Sequence, residues 1–164
     1  MGYDAEFSAF VASAWPDLVR TGRLLAPDPA LGEDLVQSAL LKTYLRWGSV
    51  DEPLAYTRTV LTRLAIRAGQ RRWRGEIPTA EVAESPAPDS LGDVDVTEAI
   101  ERALAALPPK QRAVLVLRYY CDCGEAEIAA ALGCSVGTVK SRAHRALTAL
   151  RLDASLDQME VGDG

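Results

Sequence analysis

Histidine occurs once and cysteine three times in the 164 residues, and no long apolar segment is present. No Ser-His-Asp, Cys-His or paired-carboxylate set is convincing with a single histidine, so we expect no catalytic activity from this chain alone. No stretch approaches the roughly 20 apolar residues that span a bilayer. The start, MGYDAEFSAF, is acidic and lacks the basic and apolar regions of a signal peptide. These absences argue against an enzyme and a membrane protein, and they predict a cytoplasmic location.

The three cysteines, Cys121, Cys123 and Cys134, fall in one short stretch and are odd in number, which excludes a disulfide framework. The spacing Cys121-x-Cys123 is shorter than the usual zinc knuckle, and the fourth ligand would have to be His144. We therefore expect reduced thiols, no metal site and no cofactor.

Charge is segregated along the chain, although the net charge is -5. Residues 54–75 hold six arginines and no acid, and residues 110–151 hold seven basic residues against three acids. Between these blocks, residues 76–101 hold eight acids and no base, and the tail 152–164 holds four acids. Local patches govern binding to a polyanion, so two basic blocks remain compatible with a nucleic-acid partner.

The first half reads as helices. Val36, Leu40, Tyr44 and Trp47 form a stripe that predicts a helix over 33–47, with either Gly32 or Asp28 ending the turn before it. Pro53 is placed to start the next helix, which should run to about residue 74. Residues 6–25 predict a helix that is interrupted or restarted near Pro16.

Arginines in the predicted helix 53–74 follow a helical spacing. Arg63, Arg67, Arg71 and Arg74 are four, four and three residues apart, so they form one ridge, called here the arginine ridge. Residues 75–95 are rich in proline, glycine and acids, which is typical of a linker.

The second half also predicts helices, over 96–107, 110–120, 125–132 and 136 to about 152, separated by Pro108-Pro109 and Gly133. No segment of the sequence shows sustained period-two alternation. We therefore expect an all-α fold of two small helical domains joined by a flexible acidic linker.

Residues 125–147 are a helix-turn-helix candidate. Ala129 is small where two helices would cross, Gly133 permits a left-handed turn, and Ser135 is a suitable N-cap. Val139, Ala143 and Ala146 give the second helix a buried stripe. Its other faces carry the residues that a major-groove helix requires, and these are the DNA-binding candidates Thr138, Lys140, Ser141, Arg142, His144 and Arg145.

These blocks resemble a known family. The segment LPPKQRAVLVLRYY followed by GTVKSR resembles region 4 of an extracytoplasmic-function (ECF) sigma factor of the sigma-70 family. GEDLVQSALLKTYLRW followed by PLAYTRTVLTRLAIRAGQRRWR resembles region 2. The closest likeness is to the actinobacterial SigE-like group. The resemblance assigns 1–75 to region 2, 76–95 to an acidic linker, 96–152 to region 4 and 153–164 to an acidic tail.

The resemblance also implies partners and sites. Region 2 would bind the clamp helices of the polymerase β′ subunit through Asp34, Gln37 and Leu41, and region 4 would bind the β flap and the −35 element. The −10 element would be read by loop 48–53 and by Arg63, Arg67, Arg71, Arg72 and Arg74, with Tyr56 and Trp73 as stacking candidates. Relatives often carry Asn at the position of Arg63. An anti-sigma factor would be a further partner in this family.

Two alternatives stay open at this point. A stand-alone helix-turn-helix regulator would bind duplex operators as a dimer, and an adaptor or inhibitor built on the same fold would bind no DNA. A simple regulator would need a ligand pocket or dimer interface in the first half. The first half instead offers the arginine ridge and a neighbouring helix that carries Asp34, Gln37 and Leu41. This combination favours the sigma factor.

Overall fold

A computed structural model describes residues 2–75 and 93–162 of the chain, with side chains for 2–75 and 96–151. Within these ranges it contains helices and no strand, which confirms the all-α prediction. The N-terminal half comprises α1 (Gly2–Leu25), α2 (Pro29–Leu45), a 3₁₀ turn (Trp47–Ser49) and α3 (Pro53–Trp73). The C-terminal half comprises α4 (Asp93–Ala105), α5 (Pro109–Leu115), a π turn (Val116–Tyr120), α6 (Glu125–Leu132) and α7 (Val136–Gly162).

Helix α1 runs through Pro16 without a break, so the predicted interruption is wrong. A proline inside a helix removes one hydrogen bond and costs about 3 kcal/mol. Packing on both sides of the proline offsets that cost, because Ala14 and Leu18 are both buried in the core.

Helix α2 begins at Pro29, four residues earlier than predicted, because Asp28 is its N-cap. The Asp28 Oδ1 atom accepts a hydrogen bond from the Leu31 backbone N–H at 2.9 Å. Gly32 therefore lies inside the helix, where its lack of a side chain serves a close crossing with α1. A Cβ atom on Gly32 would lie 2.6 Å from the Gly22 carbonyl oxygen.

Two buried threonines join α2 to α3. The hydroxyls of Thr43 and Thr57 lie 2.7 Å apart, and each lies within hydrogen-bonding distance of a carbonyl in its own helix, of Ala39 and Pro53 respectively. Each hydroxyl has one proton, so one of them donates to the other and the second donates to its own carbonyl. Both hydroxyls therefore have partners in a region closed to water, as a buried polar group requires.

The C-terminal half departs from the predicted boundaries at three places. Helix α4 begins at Asp93, inside the segment assigned to the acidic linker; the rest of that linker, 76–92, lies outside the described residues. Pro109 starts the predicted helix 110–120, and the last five residues of that helix form the π turn. Helix α7 continues to Gly162 rather than ending near 152, since no glycine or proline interrupts residues 152–161.

The two halves share one hydrophobic core. Leu18, Val36 and Leu61 of the N-terminal half are buried in the same cluster as Leu107 and Val116 of the C-terminal half. A second, smaller cluster lies within the C-terminal half, around Ile128 and Val139. The division into separate domains stays a prediction, whereas the described residues pack the halves against each other.

Arg112 of α5 is the most deeply placed charge at this junction, with 1% of its surface exposed. Its guanidinium donates to the carbonyls of Leu104, Ala105 and Leu107 at the end of α4, and to the carbonyl of Leu25 at the end of α1. Burial lowers the pKa of Arg112 to about 10, and the charge of Arg72 adds to the shift, so the group remains cationic at neutral pH.

Candidate nucleic-acid and polymerase interfaces

Helices α6 and α7 form the turn that the sequence predicts. Gly133 ends α6 in the left-handed conformation, with φ of 67°, which glycine adopts without steric cost. The Ser135 Oγ atom then accepts from the Thr138 backbone N–H at 3.1 Å and caps the start of α7. Ile128, Ala129, Val139 and Ala143 pack into the buried cluster between the two helices.

The faces of α7 separate apolar from polar residues. Val139, Ala143 and Ala146 are buried, so the opposite side of the helix faces solvent. Lys140, Ser141, His144 and Arg145 are all exposed there, and the spacing i, i+1, i+4, i+5 places them in one patch. A capped helix with this patch near its N-terminal end has the shape and chemistry that a major groove accepts.

Two other predicted DNA-binding residues of α7 are half-buried and contact protein. Thr138 shares a 2.9 Å hydrogen bond with the Ser135 hydroxyl. Arg142 directs its Nη1 atom to the Cys134 Sγ atom at 3.6 Å, so it braces the turn. Lys140, although exposed, lies 3.7 Å from a Glu125 carboxylate oxygen, whose partner oxygen binds Arg118 at 3.0 Å.

The arginine ridge lies along the exposed side of α3, with Thr57, Leu61 and Ala65 on the buried side. Arg63, Arg67, Arg71 and Arg74 are exposed. Arg72 differs, because its Nη2 atom binds the Asp28 carboxylate at 2.8 Å and its side chain is 20% exposed. The same carboxylate that caps α2 thus ties down one of the predicted DNA-binding arginines.

Arg63 at the start of the ridge also contacts the C-terminal half. Its Nε atom donates to the backbone carbonyl of Ala131 in α6, at 3.0 Å. Sequence reasoning missed this contact, since nothing in the spacing of α3 indicates that α6 packs beside it.

Asp34, Gln37 and Leu41 lie exposed on one face of α2, as predicted, while Val36 and Leu40 are buried. The sequence reading missed Leu45, which is 73% exposed and continues the same line one turn beyond Leu41. The i, i+4 spacing of the two leucines was the available signal.

The aromatic residues near the predicted −10 surface divide into two groups. Trp73 is 58% exposed at the end of α3, whereas Tyr56 is half-buried. Trp47 precedes loop 48–53 and packs edge-on against Phe7 of α1, with ring centroids 5.3 Å apart. The apolar stripe of the helix predicted over 33–47 placed Tyr44 toward the core. In the structure Tyr44 is instead 41% exposed, and its hydroxyl donates a hydrogen bond to Asp4. That hydrogen bond is the main reason that the pKa of Tyr44 is raised.

The cysteines are partly buried thiols. Cys121 lies with its Sγ atom 3.9 Å from the Thr21 hydroxyl of α1, and burial raises the pKa of its thiol. Burial also raises the pKa of Cys123. No group of metal-ligating side chains forms within the described parts of the chain.

A groove of about 900 Å³ lies where the two halves meet, another feature that the sequence did not reveal. Its walls come from α1, α4, the α5–π turn segment and α7. Trp15, Leu24, Ile100, Tyr119 and Leu150 supply much of its apolar surface, and Arg23 and Glu101 form an ion pair of 3.4 Å at its edge. No helix in the described ranges is long and apolar enough to cross a membrane.

Comparison with known proteins identifies the helix-turn-helix. Residues 97–150 match the family "Sigma-70, region 4". Over 154 residues the chain is 40% identical to the RNA polymerase sigma-E factor of Streptomyces coelicolor, which covers 92% of this chain and 87% of that protein. It is 34% identical over 136 residues to the ECF RNA polymerase sigma factor SigL of Mycobacterium tuberculosis, covering 78% of this chain and 77% of the relative.

Two solved structures are similar in fold to this chain over most of its length. The sigma factor RpoE of Bartonella quintana, solved with the anti-sigma factor NepR, aligns with a TM-score of 0.73 at 26% identity, over 93% of this chain and 98% of that one. CnrH, solved with the cytosolic domain of CnrY, has the same fold with a TM-score of 0.64 at 21% identity, over 94% of this chain and 90% of that one.

The sequence identity extends over both halves, so it covers the α2–α3 segment as well as the helix-turn-helix. A stand-alone helix-turn-helix regulator, the alternative that the sequence left open, does not account for that likeness. The chain belongs to the ECF sigma factors of the sigma-70 family, in the SigE-like group of actinobacteria, and it is an alternative sigma factor, a transcription initiation factor that gives RNA polymerase its promoter specificity.

Proposed function

We propose that α7 reads the −35 element, with Lys140, Ser141, His144 and Arg145 toward the bases. The observation that carries this assignment is the solvent-facing patch of four polar residues on a capped helix whose opposite side is buried. Arg145 is the strongest candidate for a guanine reader, because a guanidinium binds O6 and N7 together. Arg142 and Thr138 stabilise the turn before α7 and thereby fix the position of the α7 backbone relative to the DNA.

The arginine ridge is the second DNA surface in this proposal. Single-stranded DNA is held by a positive track with platforms for unstacked bases, and α3 offers exposed arginines that lead to the exposed Trp73. We assign the single-stranded −10 element to this track and to loop 48–53. Arg72 contributes through the electrostatic potential of its charge more than through direct contact with DNA, because Asp28 already binds its guanidinium.

Helix α2 is the proposed polymerase contact. Leu41 and Leu45 provide an exposed apolar centre, 59% and 73% accessible, and Asp34 and Gln37 provide a polar rim. Protein interfaces have this composition. We assign this face to the clamp helices of the β′ subunit, and the C-terminal half to the β flap.

The remaining assignments follow from this function. Residues 1–75 act as region 2 and 96–152 as region 4, joined by the linker 76–95 and followed by the tail 153–164. The chain acts in the cytoplasm, and the polymerase supplies the chemistry. Because the similar Bartonella sigma factor was solved with an anti-sigma factor, we assign a partner of that class here as well. We assign its binding site to the apolar groove between the halves.

The test is reconstitution of the full chain with core RNA polymerase. We expect co-elution in gel filtration and run-off transcripts from a subset of a promoter library, neither of which core enzyme gives alone. Leu41→Glu should abolish co-elution, because it places a charge at the centre of the proposed interface.

Tyr3→Glu is the matched control, since it also puts a charge on an exposed apolar side chain, but on α1, to which no polymerase contact is assigned. Circular dichroism should show both variants folded. If Leu41→Glu binds core enzyme as well as the unaltered chain does, the contact lies on another surface. If neither the unaltered chain nor the control variant yields promoter-dependent transcripts with core enzyme, the assignment of these surfaces to promoter DNA and polymerase is wrong.

A further inference from the structure

Glu125 brings a negative charge to the proposed −35 surface. It is the first residue of α6, and its side chain is 28% exposed. Its Oε1 atom accepts a hydrogen bond from the Arg118 Nη1 atom at 3.0 Å, and its Oε2 atom lies 3.7 Å from the Lys140 Nζ atom. One carboxylate therefore connects the π turn, α6 and the helix that is proposed to read DNA.

The two ion pairs of Glu125 differ in geometry. The Arg118 contact has the length of a hydrogen bond between charged groups, whereas 3.7 Å is too long for one. Arg118 therefore fixes the carboxylate, while the Lys140 side chain remains 64% exposed beside it. Exposed ion pairs of this kind add little to the stability of a fold. The carboxylate instead changes the electrostatic surroundings in which Lys140 would meet DNA.

The position of Glu125 disfavours a phosphate at the start of α6. The first helix of a helix-turn-helix crosses the DNA backbone, and the N-terminus of a helix attracts phosphates through its free N–H groups. Glu125 lies in this first turn, where its carboxylate interacts favourably with the helix dipole and repels a phosphate. A backbone contact that every DNA sequence would offer equally is thereby weakened.

The ion pair also changes which acceptor Lys140 prefers. A lysine near DNA can bind a backbone phosphate on any sequence, or it can bind O6 and N7 of a guanine. Its ammonium has three donors, so Lys140 can contact Glu125 and a second acceptor together. A phosphate in that second place is an anion and repels the carboxylate, whereas a guanine edge is neutral. Beside Glu125, Lys140 therefore gains less from a phosphate than from a base.

We propose that Glu125 is a specificity-determining residue for the −35 element, which acts by positioning Lys140: its carboxylate makes the ammonium favour a base edge over a backbone phosphate. The inference rests on the proposed role of α7 as the −35 reader. Specific interfaces gain discrimination by weakening the wrong complexes as well as by strengthening the right one. Removal of Glu125 should therefore tighten binding to DNA without the correct −35 element, a gain that loss of a structural contact does not give.

The test uses holoenzyme reconstituted from the full chain and core RNA polymerase. Two fluorescein-labelled promoter fragments share one −10 element. The first carries the −35 sequence of the strongest promoter from the library, and the second carries a scrambled −35 sequence. Anisotropy titrations at several salt concentrations give the affinity for each fragment, and the ratio of the two affinities measures specificity.

Glu125→Gln should tighten binding to the scrambled fragment several-fold at low salt, because Lys140 becomes free to bind a phosphate. The gain should shrink about threefold between about 50 and 200 mM salt, since one added phosphate contact steepens the slope of log affinity against log salt by about 0.9. Binding to the correct fragment should change less. The affinity ratio should therefore fall several-fold.

Glu127→Gln is the matched control, because Glu127 is exposed on the same helix and the substitution removes the same charge. It should leave the affinity ratio unchanged. Lys140→Gln tests whether the effect passes through the lysine. This variant should weaken binding to the correct fragment more than to the scrambled one. Adding Glu125→Gln to the Lys140→Gln chain should then leave the ratio where Lys140→Gln alone puts it.

An affinity ratio that Glu125→Gln leaves unchanged, or lowers only by weakening the correct complex, overturns the proposal. The second result would make Glu125 a structural support or a direct reader of a cytosine amino group. A change of the ratio that persists in the Lys140→Gln chain overturns the action through Lys140. The −35 assignment is tested apart from these outcomes: if Lys140→Gln alters neither affinity, the −35 role of Lys140 is wrong, and the positioning role of Glu125 falls with it.

Discussion

Helices α3 and α7 both carry arginines that a sequence reading assigns to DNA, yet they use them differently. On α7, Arg145 extends from the exposed face and Arg142 braces the turn against Cys134. On α3, Arg58 binds Asp17, Arg72 binds Asp28 and Arg63 binds Ala131. The difference follows from position, because α7 packs mainly on α5 and α6 of its own half, whereas α3 packs on α1 and α2 and also on α5 and α6 of the other half. An arginine in a basic block is therefore a stronger candidate for DNA contact where it extends from an exposed face than where another element of the protein already binds it.

The largest effect we expect lies at Arg112, the arginine most completely engaged with protein. Replacing it by methionine leaves four carbonyls without their donor in a region closed to water, and hydrogen bonds to charged groups are worth about 1.5–3 kcal/mol each. Since burial of the charge offsets part of this, we expect the free energy of unfolding to fall by roughly 3 kcal/mol. Urea denaturation followed by circular dichroism measures it.

Lys110→Met serves as the control on the same helix, because Lys110 is exposed. Its effect should stay within about 0.5 kcal/mol. Equal midpoints for the two variants would mean that the Arg112 hydrogen bonds add nothing to the stability of the fold.

The next effect concerns base selection. Arg145→Ala should remove a discrimination of about 1–3 kcal/mol at one −35 position, because the alanine cannot bind a guanine edge. The measurement is transcription by the reconstituted holoenzyme from promoters with single-base −35 changes. Selectivity should relax at one position and persist at the others. An equal loss of activity on every promoter would reassign Arg145 to the phosphate backbone.

Arg142→Ala should act uniformly and more weakly. Its guanidinium lies 3.6 Å from the Cys134 sulfur and is half-buried, so its loss loosens the turn that orients α7. We expect every −35 variant to lose activity by the same factor and the melting temperature to drop by a few degrees. A loss confined to particular bases would give Arg142 the role assigned to Arg145.

How far the sequence predicts this molecule depends on where each residue finds its partners. The buried stripe of α7, the Gly133 turn and the Ser135 cap are local and are all found as expected. The start of α2 was missed because Asp28 and Gly32 both suit a helix boundary, and only the crossing at Gly22 shows that Gly32 is an interior residue. The Arg63–Ala131 contact joins positions 68 residues apart, which no periodicity reveals.

A smaller effect separates the arginines of α3. Arg67 is exposed on the ridge, so Arg67→Ala should lower the slope of log affinity against log salt by about 0.7, the value for one single-strand phosphate contact. Arg72→Ala should change this slope less, because Asp28 binds Arg72 in the free chain. Anisotropy titrations of a fluorescein-labelled single-stranded oligonucleotide of random sequence, at several salt concentrations, measure both. A larger change for Arg72 would show that the Asp28 pair breaks on binding.

The smallest effect concerns an arginine of α3 that acts on a thiol. Burial raises the pKa of Cys121 above the usual 9.0, while the Thr21 hydrogen bond and the charge of Arg58 lower it in part. The raised pKa means that this thiol contributes stability below pH 9, which is lost as the pH rises through the folded value. Arg58→Gln removes the cation, so the pH profile of Cys121 alkylation should move upward, whereas Arg67→Gln should leave it in place. A profile that moves downward would mean that loss of the Asp17–Arg58 ion pair exposes Cys121 to water. The ion pair would then act mainly by holding the two halves together, and the charge of Arg58 would have the smaller effect on the thiol pKa.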